Sequence, residues 1–144
     1  MSDQPSGEFL LYETEDGKTR VECRFAADTL WLTQALMADL FQVTVPTINE
    51  HLKTIFAEGE LLAEATIRKF LIVRQEGSRQ VSRNLDHYNL DAILAVGYRV
   101  RSARGTQFRR WATERLREYL VKGFTMDDER LKNPPVGASV APDY

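Results

Sequence analysis

The sequence predicts an α+β fold: a β-hairpin, a helix-turn-helix, a second β-hairpin, and two helices that close the core. Three observations carry this. Two short alternating runs flank Asp16-Gly17, a two-residue hairpin signal, and a second alternating pair flanks Glu76-Gly77-Ser78. Between and after them, apolar residues recur at helical spacing of three and four. With 144 residues, 43% of them hydrophobic, the chain has the material for one real core. A single domain is expected over residues 1–132, with the helix-turn-helix at 33–56 and a tail or linker at 133–144.

The first hairpin is expected from Phe9–Glu15 and Lys18–Ala26. Leu30, Trp31 and Leu32 follow, leading into the helices directly or as a third short strand. In LTQALMADLFQVTVPTINEHLKTIF, Thr33 suits the N-cap of a first helix, because its hydroxyl accepts a free backbone N–H. Met37, Ala38 and Phe41 share one side of it, and Ala38 is small enough for a second helix to approach. The break falls at Gln42-Val43. Such turns usually carry Gly, so Gln42 takes a positive φ only at a cost. Thr44 is a second N-cap, and Pro46 sits in the first turn, where a missing N–H costs nothing. Ile48, Leu52 and Ile55 turn inward, leaving Thr44, Thr47, Asn49, Glu50 and Lys53 outward. Short polar groups near a helix N-terminus are what major-groove reading requires. The bland alternative is an ordinary two-helix hairpin inside a core.

Gly59 suits the left-handed cap that ends the second helix. The second hairpin is expected from Ala65–Gln75 and Arg79–His87, offering Arg74, Arg79 and Arg83 to phosphate or simply to solvent. Asn89 caps a helix from Leu90 to about Val100, in which Gly97 permits a close contact. Ser102–Thr106 reads as a polar link, and Gln107–Lys122 as the last helix, stopped by Gly123. Its apolar face is Phe108, Trp111, Ala112, Leu116, Tyr119 and Leu120. Glu114 is placed to pair with Arg110 or Arg117.

Net charge is only −2, but it is unevenly spread. Residues 1–64 carry four Lys or Arg against twelve Asp or Glu, a balance of −8. Residues 65–122 carry thirteen against five, a balance of +8. Such a basic half makes a local positive field whatever the overall pI. Arginine dominates it, and forked guanidinium groups suit phosphate oxygens. The expected phosphate contacts are Lys53, Arg74, Arg79, Arg83, Arg101, Arg104, Arg109, Arg110 and Arg117. The expected base contacts are Thr44, Thr47, Asn49 and Glu50, with Asn49 suited to adenine and Glu50 to cytosine.

Catalysis finds no support in the residue pattern. His51 and His87 have no Cys, His or Glu at metal-ligand spacing, no Gly-rich phosphate loop follows a strand, and no nucleophile has a base beside it. No catalytic residue, metal or cofactor is expected. Cys23 alternates with Val21 and Phe25 as a packed strand residue would. The lone cysteine and the polar N-terminus, with no apolar run of membrane length, point to the cytoplasm and to no membrane partner.

The block YNLDAILAVGYRVRSARGTQFRRWATERLREYLVKGFTMDDERLKNPP (88–135), with WLTQALMADLF and HLKTIFAEGEL before it, resembles the RhuM-type virulence proteins of bacteria. The likeness extends from about residue 9 to 144, and GYRV…RGTQFRRWA is its specific part. It implies a bacterial cytosolic protein regarded as DNA-binding, with no established biochemical activity. It also implies a further helical region after the NPPVG segment. More loosely, the YNLDAIL and FRRWATERLREYL helices resemble the N-terminal domain of Bro-type antirepressors.

The function expected is therefore double-stranded DNA binding by a transcriptional or phage-like regulator. The alternative is a protein-interaction module, such as an antirepressor or effector component, whose Arg-rich helix binds an acidic partner. A homodimer fits either.

Overall fold

The first hairpin, expected at Asp16-Gly17, grows into a five-stranded antiparallel sheet with the order β1-β2-β3-β5-β4. The computed structural model describes residues 8–126. Strands β1 (Glu8–Glu13), β2 (Arg20–Ala26) and β3 (Thr29–Leu32) lead into helices α1 (Gln34–Phe41), α2 (Val45–Ala57) and the short α3 (Ala63–Thr66). Strands β4 (Ile67–Glu76) and β5 (Arg79–Asn89) follow, then α4 (Leu90–Val100) and α5 (Ala103–Met126). The mixed α+β class with two C-terminal helices is as the sequence predicts. By packing, the described residues fall into two units, one ending at Trp111 and the other beginning at Ala112. The expected tail at 133–144 lies outside the described residues.

Both hairpin turns use glycine where φ must be positive, at Gly17 (φ 72°) and Gly77 (φ 64°). The β2–β3 turn does the same with Ala27 and Asp28, at φ 52° and 61°, so two side chains carry the strain there. Strand alternation sorts the sheet into two faces. Tyr12, Val21, Cys23, Leu30 and Leu32 are buried on one, where α1 packs against β2 and β3 and α4 against β3 and β5. Met37, Leu40, Phe41, Ile48, Ile55, Ile93, Val96 and Phe108 complete this core.

The opposite face is not simply solvated. Arg24, facing Phe9 on β1 and Trp31 on β3, is only 5% exposed. Its guanidinium lies 4.8 Å from the Phe9 ring and 4.7 Å from the Phe70 ring, and donates to the Leu71 carbonyl at 3.2 Å. Trp31 and His87 set their rings against Phe70 at 5.4 and 5.0 Å. This small aromatic cluster ties the first three strands to the β4–β5 ribbon. Cation–π contacts offset part of the cost of burying this charge.

Two parts of the chain depart from expectation. The turn of helix at Ala63–Thr66, closed by the Thr66 hydroxyl on the Leu62 carbonyl at 2.7 Å, precedes β4 where strand was expected from Ala65. Helix α5 starts at Ala103 instead of Gln107, because Ser102 caps it: Oγ accepts from Arg104 N at 3.0 Å and the carbonyl from Gly105 N at 3.0 Å. It also runs through Gly123 to Met126. A glycine inside a helix costs only about 1 kcal/mol relative to alanine, which does not end a 24-residue helix.

Candidate functional site

The α1–α2 pair is built as its sequence dictates. Thr33 Oγ1 accepts from Leu36 N at 3.2 Å, and Thr44 Oγ1 from Thr47 N at 3.3 Å, so both helices open on a side-chain cap. Gln42 ends α1 in the left-handed conformation (φ 58°, ψ 48°), with its amide donating to the Asp39 carbonyl at 2.7 Å. That side-chain bond holds a residue in a place glycine would take more cheaply. Ile48, Leu52 and Ile55 are buried, as the spacing predicts.

All four residues proposed for base contact lie away from that apolar stripe. Thr44, Asn49 and Glu50 are exposed and Thr47 is half-buried, as its hydroxyl pairs with that of Thr44 at 3.0 Å. Asn49 accepts from Gln34 Nε2 at 3.2 Å, and the same amide reaches the Tyr88 hydroxyl at 3.0 Å. Asn49 is exposed, but its side-chain carbonyl is already engaged. Glu50 and Lys53 are exposed and make no salt bridge among the described residues.

The ribbon brings three of the expected phosphate contacts onto one face. Pairing of Ile72 with Arg83, Arg74 with Val81 and Glu76 with Arg79 sets Arg74, Arg79 and Arg83 side by side. Arg83 is partly neutralised by Glu76 at 3.3 Å, whereas Arg74 and Arg79 are exposed and unpaired among the described residues. On α5, Arg109 and Arg110 are likewise exposed, as is Arg117 further along the helix. Glu114 makes no salt bridge among the described residues; the acid that pairs on α5 is Glu118, with Arg115 at 3.1 Å.

Arg104 has a different task from the one expected of it. Its Nη1 donates to the Leu40 carbonyl at 3.1 Å, satisfying the end of α1, and its Nη2 lies 3.7 Å from Asp16. It is an internal tether first. Arg101, the αL residue that ends α4 (φ 60°), is exposed.

A shallow cleft of about 340 Å³ that sequence reading missed is lined by His51, Glu60, Tyr98, Arg99 and Arg101. Arg99 donates to Glu58 at 3.1 Å and to Glu60 at 3.0 Å, which holds its guanidinium above its usual pKa. Tyr98 is 84% exposed at its rim. The signal available in sequence was an aromatic off the apolar stripe of α4.

The chemistry of the buried groups is subdued. Burial pushes the Cys23 thiol up to about 12, so it is not a thiolate nucleophile at neutral pH. Burial likewise lowers the pKa of His87, with the Arg24 charge acting the same way. Among the described residues no three His, Cys, Asp or Glu side chains are grouped to hold a metal ion. No helix among them is long and apolar enough to cross a membrane.

An α+β scaffold with an exposed polar helix and a basic ribbon is thus the class that the structure defines. Residues 65–144 match the model of the Virulence protein RhuM family, more than half of the chain, and the chain belongs to that family. The matched stretch begins just ahead of β4, so α1 and α2 precede it. The Bro-type resemblance gains no such support. No curated protein and no solved structure matches the chain.

Proposed function

We propose that this RhuM-family protein binds double-stranded DNA in the bacterial cytoplasm, as a transcriptional or phage-like regulator, and that α1, the Gln42 turn and α2 act as a helix-turn-helix. The observation that carries the reading is the N-terminal half of α2. It opens on an exposed Thr44 cap, followed by outward Thr47, Asn49 and Glu50 over a buried Ile48–Leu52–Ile55 stripe. In this reading α2 enters the major groove, and its free N–H groups and short side chains meet the base edges. Lys53, Arg74, Arg79, Arg83, Arg101, Arg109, Arg110 and Arg117 neutralise phosphates. Arg104 contributes through its positive field and less through direct contact, since it is engaged with Leu40.

Affinity then divides between two parts of the chain. With Lys53 as the lone cation on the outward face of α2 and Glu50 beside it, α2 selects a sequence but does not hold it. Holding falls to the ribbon and α5. Fluorescence anisotropy with a randomised duplex pool, over a salt series, tests this. Binding should weaken steeply with salt, and Arg109→Ala with Arg110→Ala should lower the log–log slope by roughly two. Absence of salt-sensitive duplex binding by the intact protein removes the proposal.

One observation favours a second reading. Glu50 projects from the outward face of α2 and forms no salt bridge among the described residues, which suits a protein surface better than a phosphate backbone. Here the protein is an interaction module, with the arginines of α5 meeting an acidic partner. Stable co-purification of one protein, free of nucleic acid, distinguishes it.

A further inference from the structure

Strand β4 carries an edge of a kind that sheets usually protect. It is the outermost strand of the order β1-β2-β3-β5-β4, and among the described residues no strand pairs with its far side. Ten consecutive residues, Ile67–Glu76, stay in unbroken register with β5, with neither a bulge nor a proline to blunt the edge. Its centre is Phe70-Leu71-Ile72-Val73, where Leu71 and Val73 are 52% and 55% exposed. A long, regular edge with an apolar centre is a template for another strand, and the charges at its two ends decide which strand it accepts.

We propose that β4 is a self-association edge, pairing antiparallel with β4 of a second copy about a two-fold axis through Ile72. The charges of the strand select both the partner and the register. Facing residues of an antiparallel pair lie on the same side of the sheet, so a two-fold axis between identical strands must pass through a residue. With the axis through Leu71, Arg68 faces Arg74 of the second copy, a like-charge contact. With it through Val73, Phe70 faces Glu76 and Ile72 faces Arg74, each burying a charge against an apolar group. With it through Ile72, Arg68 faces Glu76, Lys69 faces Gln75, Phe70 faces Arg74, and Leu71 faces Val73. That register opposes no like charges, its one charge on an apolar group is a guanidinium (Arg74) against an aromatic ring (Phe70), which cation–π attraction favours, and it covers both exposed aliphatic residues at once. Each contact occurs twice by symmetry.

One interaction works against it. The Leu71 carbonyl already accepts from Arg24, so a point on β4 is engaged within its own chain. A carbonyl has a second lone pair, and the contact also holds the ribbon in a fixed place. The proposal rests on the edge alone and stands whether or not the protein binds DNA.

The experiment measures the mass of the full chain by sedimentation equilibrium over a concentration series reaching the millimolar range. A species of twice the 16.5 kDa chain is expected. Val73→Lys, at an exposed position, should leave the circular dichroism unchanged and raise the dimer dissociation constant by about tenfold or more, as it acts at two symmetric contacts. The register is read separately from single substitutions Leu71→Cys, Ile72→Cys and Val73→Cys under mild oxidation, with the buried Cys23 taking no part. Ile72→Cys should cross-link to itself fastest, and the other two should cross-link when mixed with each other. A monomer throughout, a dimer indifferent to Val73→Lys, or self-cross-linking fastest at 71 or 73 would overturn it.

Discussion

Gly97 of α4 and Gly105 of α5 meet backbone to backbone: a Cβ placed on Gly105 would lie 3.3 Å from both the Cα and the carbonyl oxygen of Gly97. A Cβ on Gly97 would lie 3.0 Å from the Phe41 ring and 3.3 Å from Gly105 Cα. In an open helix, Gly→Ala gains up to about 1 kcal/mol. Here Gly105→Ala should instead cost about 1–3 kcal/mol, because the opposing atoms are main chain and cannot step aside. Gly97→Ala should cost at least as much, since its Cβ meets the same main chain at 3.3 Å and also the buried Phe41 ring at 3.0 Å. Urea unfolding of the two variants checks the order; a gain in stability at Gly105 would contradict the contact.

His87 gives stability a pH dependence near neutrality. Burial, reinforced by Arg24, places its folded pKa below the ordinary 6.5, while the Nδ1–Leu85 carbonyl bond at 2.9 Å works in the other direction. The unfolded chain therefore takes up a proton as pH falls through 6.5, and the folded chain does not until lower pH. Stability is full above 6.5 and declines below it, by up to about 1.4 kcal/mol per pH unit, until the folded pKa is passed. Asp16 acts in a separate, more acidic window. The Thr14 hydroxyl and the Lys18 N–H hold its carboxyl below 3.8, so its contribution is lost only as pH falls through that range. His87→Gln should flatten the decline just below pH 6.5 in denaturant titrations while leaving the acid limb of Asp16 intact.

What sequence reveals and what it hides divide along the range of the interactions. The bounds of α1, α2 and α4 follow from local signals: the caps Thr33, Thr44 and Asn89, and stripes such as Ile48–Leu52–Ile55. Glycine turns mark the hairpins for the same reason. Gly105 misleads because its residue type suggests a break, whereas it is needed for contact with α4, eight residues earlier in the chain. The Arg24 cluster is hidden altogether. It depends on Phe9, Trp31, Phe70 and Leu71 meeting across four strands, and no periodicity within β2 shows that its arginine is covered. The candidate site divides in the same way. The outward face of α2 is local and legible, and the common face of Arg74, Arg79 and Arg83 follows from hairpin register. The engagement of Arg104 with Leu40 spans 64 residues and required the fold.

Arg104 and the Arg109–Arg110 pair should therefore respond oppositely to truncation. Arg104→Ala removes a charged donor from the end of α1 and should cost about 1–3 kcal/mol of folding stability. Arg109→Ala with Arg110→Ala removes two exposed side chains that form no salt bridge among the described residues, and should stay within about 0.5 kcal/mol. Unfolding midpoints measured alongside duplex affinity separate the two groups: the first variant loses stability, the second loses binding. Equal destabilisation by both would show that α5 arginines are structural as a class.

The role of the α2 N-terminus can be isolated at Thr44, where structure and function make different demands. Its hydroxyl caps the helix through Thr47 N, so Thr44→Ala should cost about 1 kcal/mol of stability. Thr44→Asp keeps a capping oxygen and adds a negative charge at the positive end of the helix dipole, so stability should be kept or slightly raised. If α2 opens toward DNA, that same carboxylate is carried toward phosphates and into the groove. Duplex affinity should then fall by about tenfold or more while the protein remains fully folded, and more steeply at low salt, where the repulsion is least screened. Thermal unfolding and anisotropy on the same samples make the comparison. Unchanged affinity in a stable Thr44→Asp protein would mean that the capped end of α2 faces something other than nucleic acid.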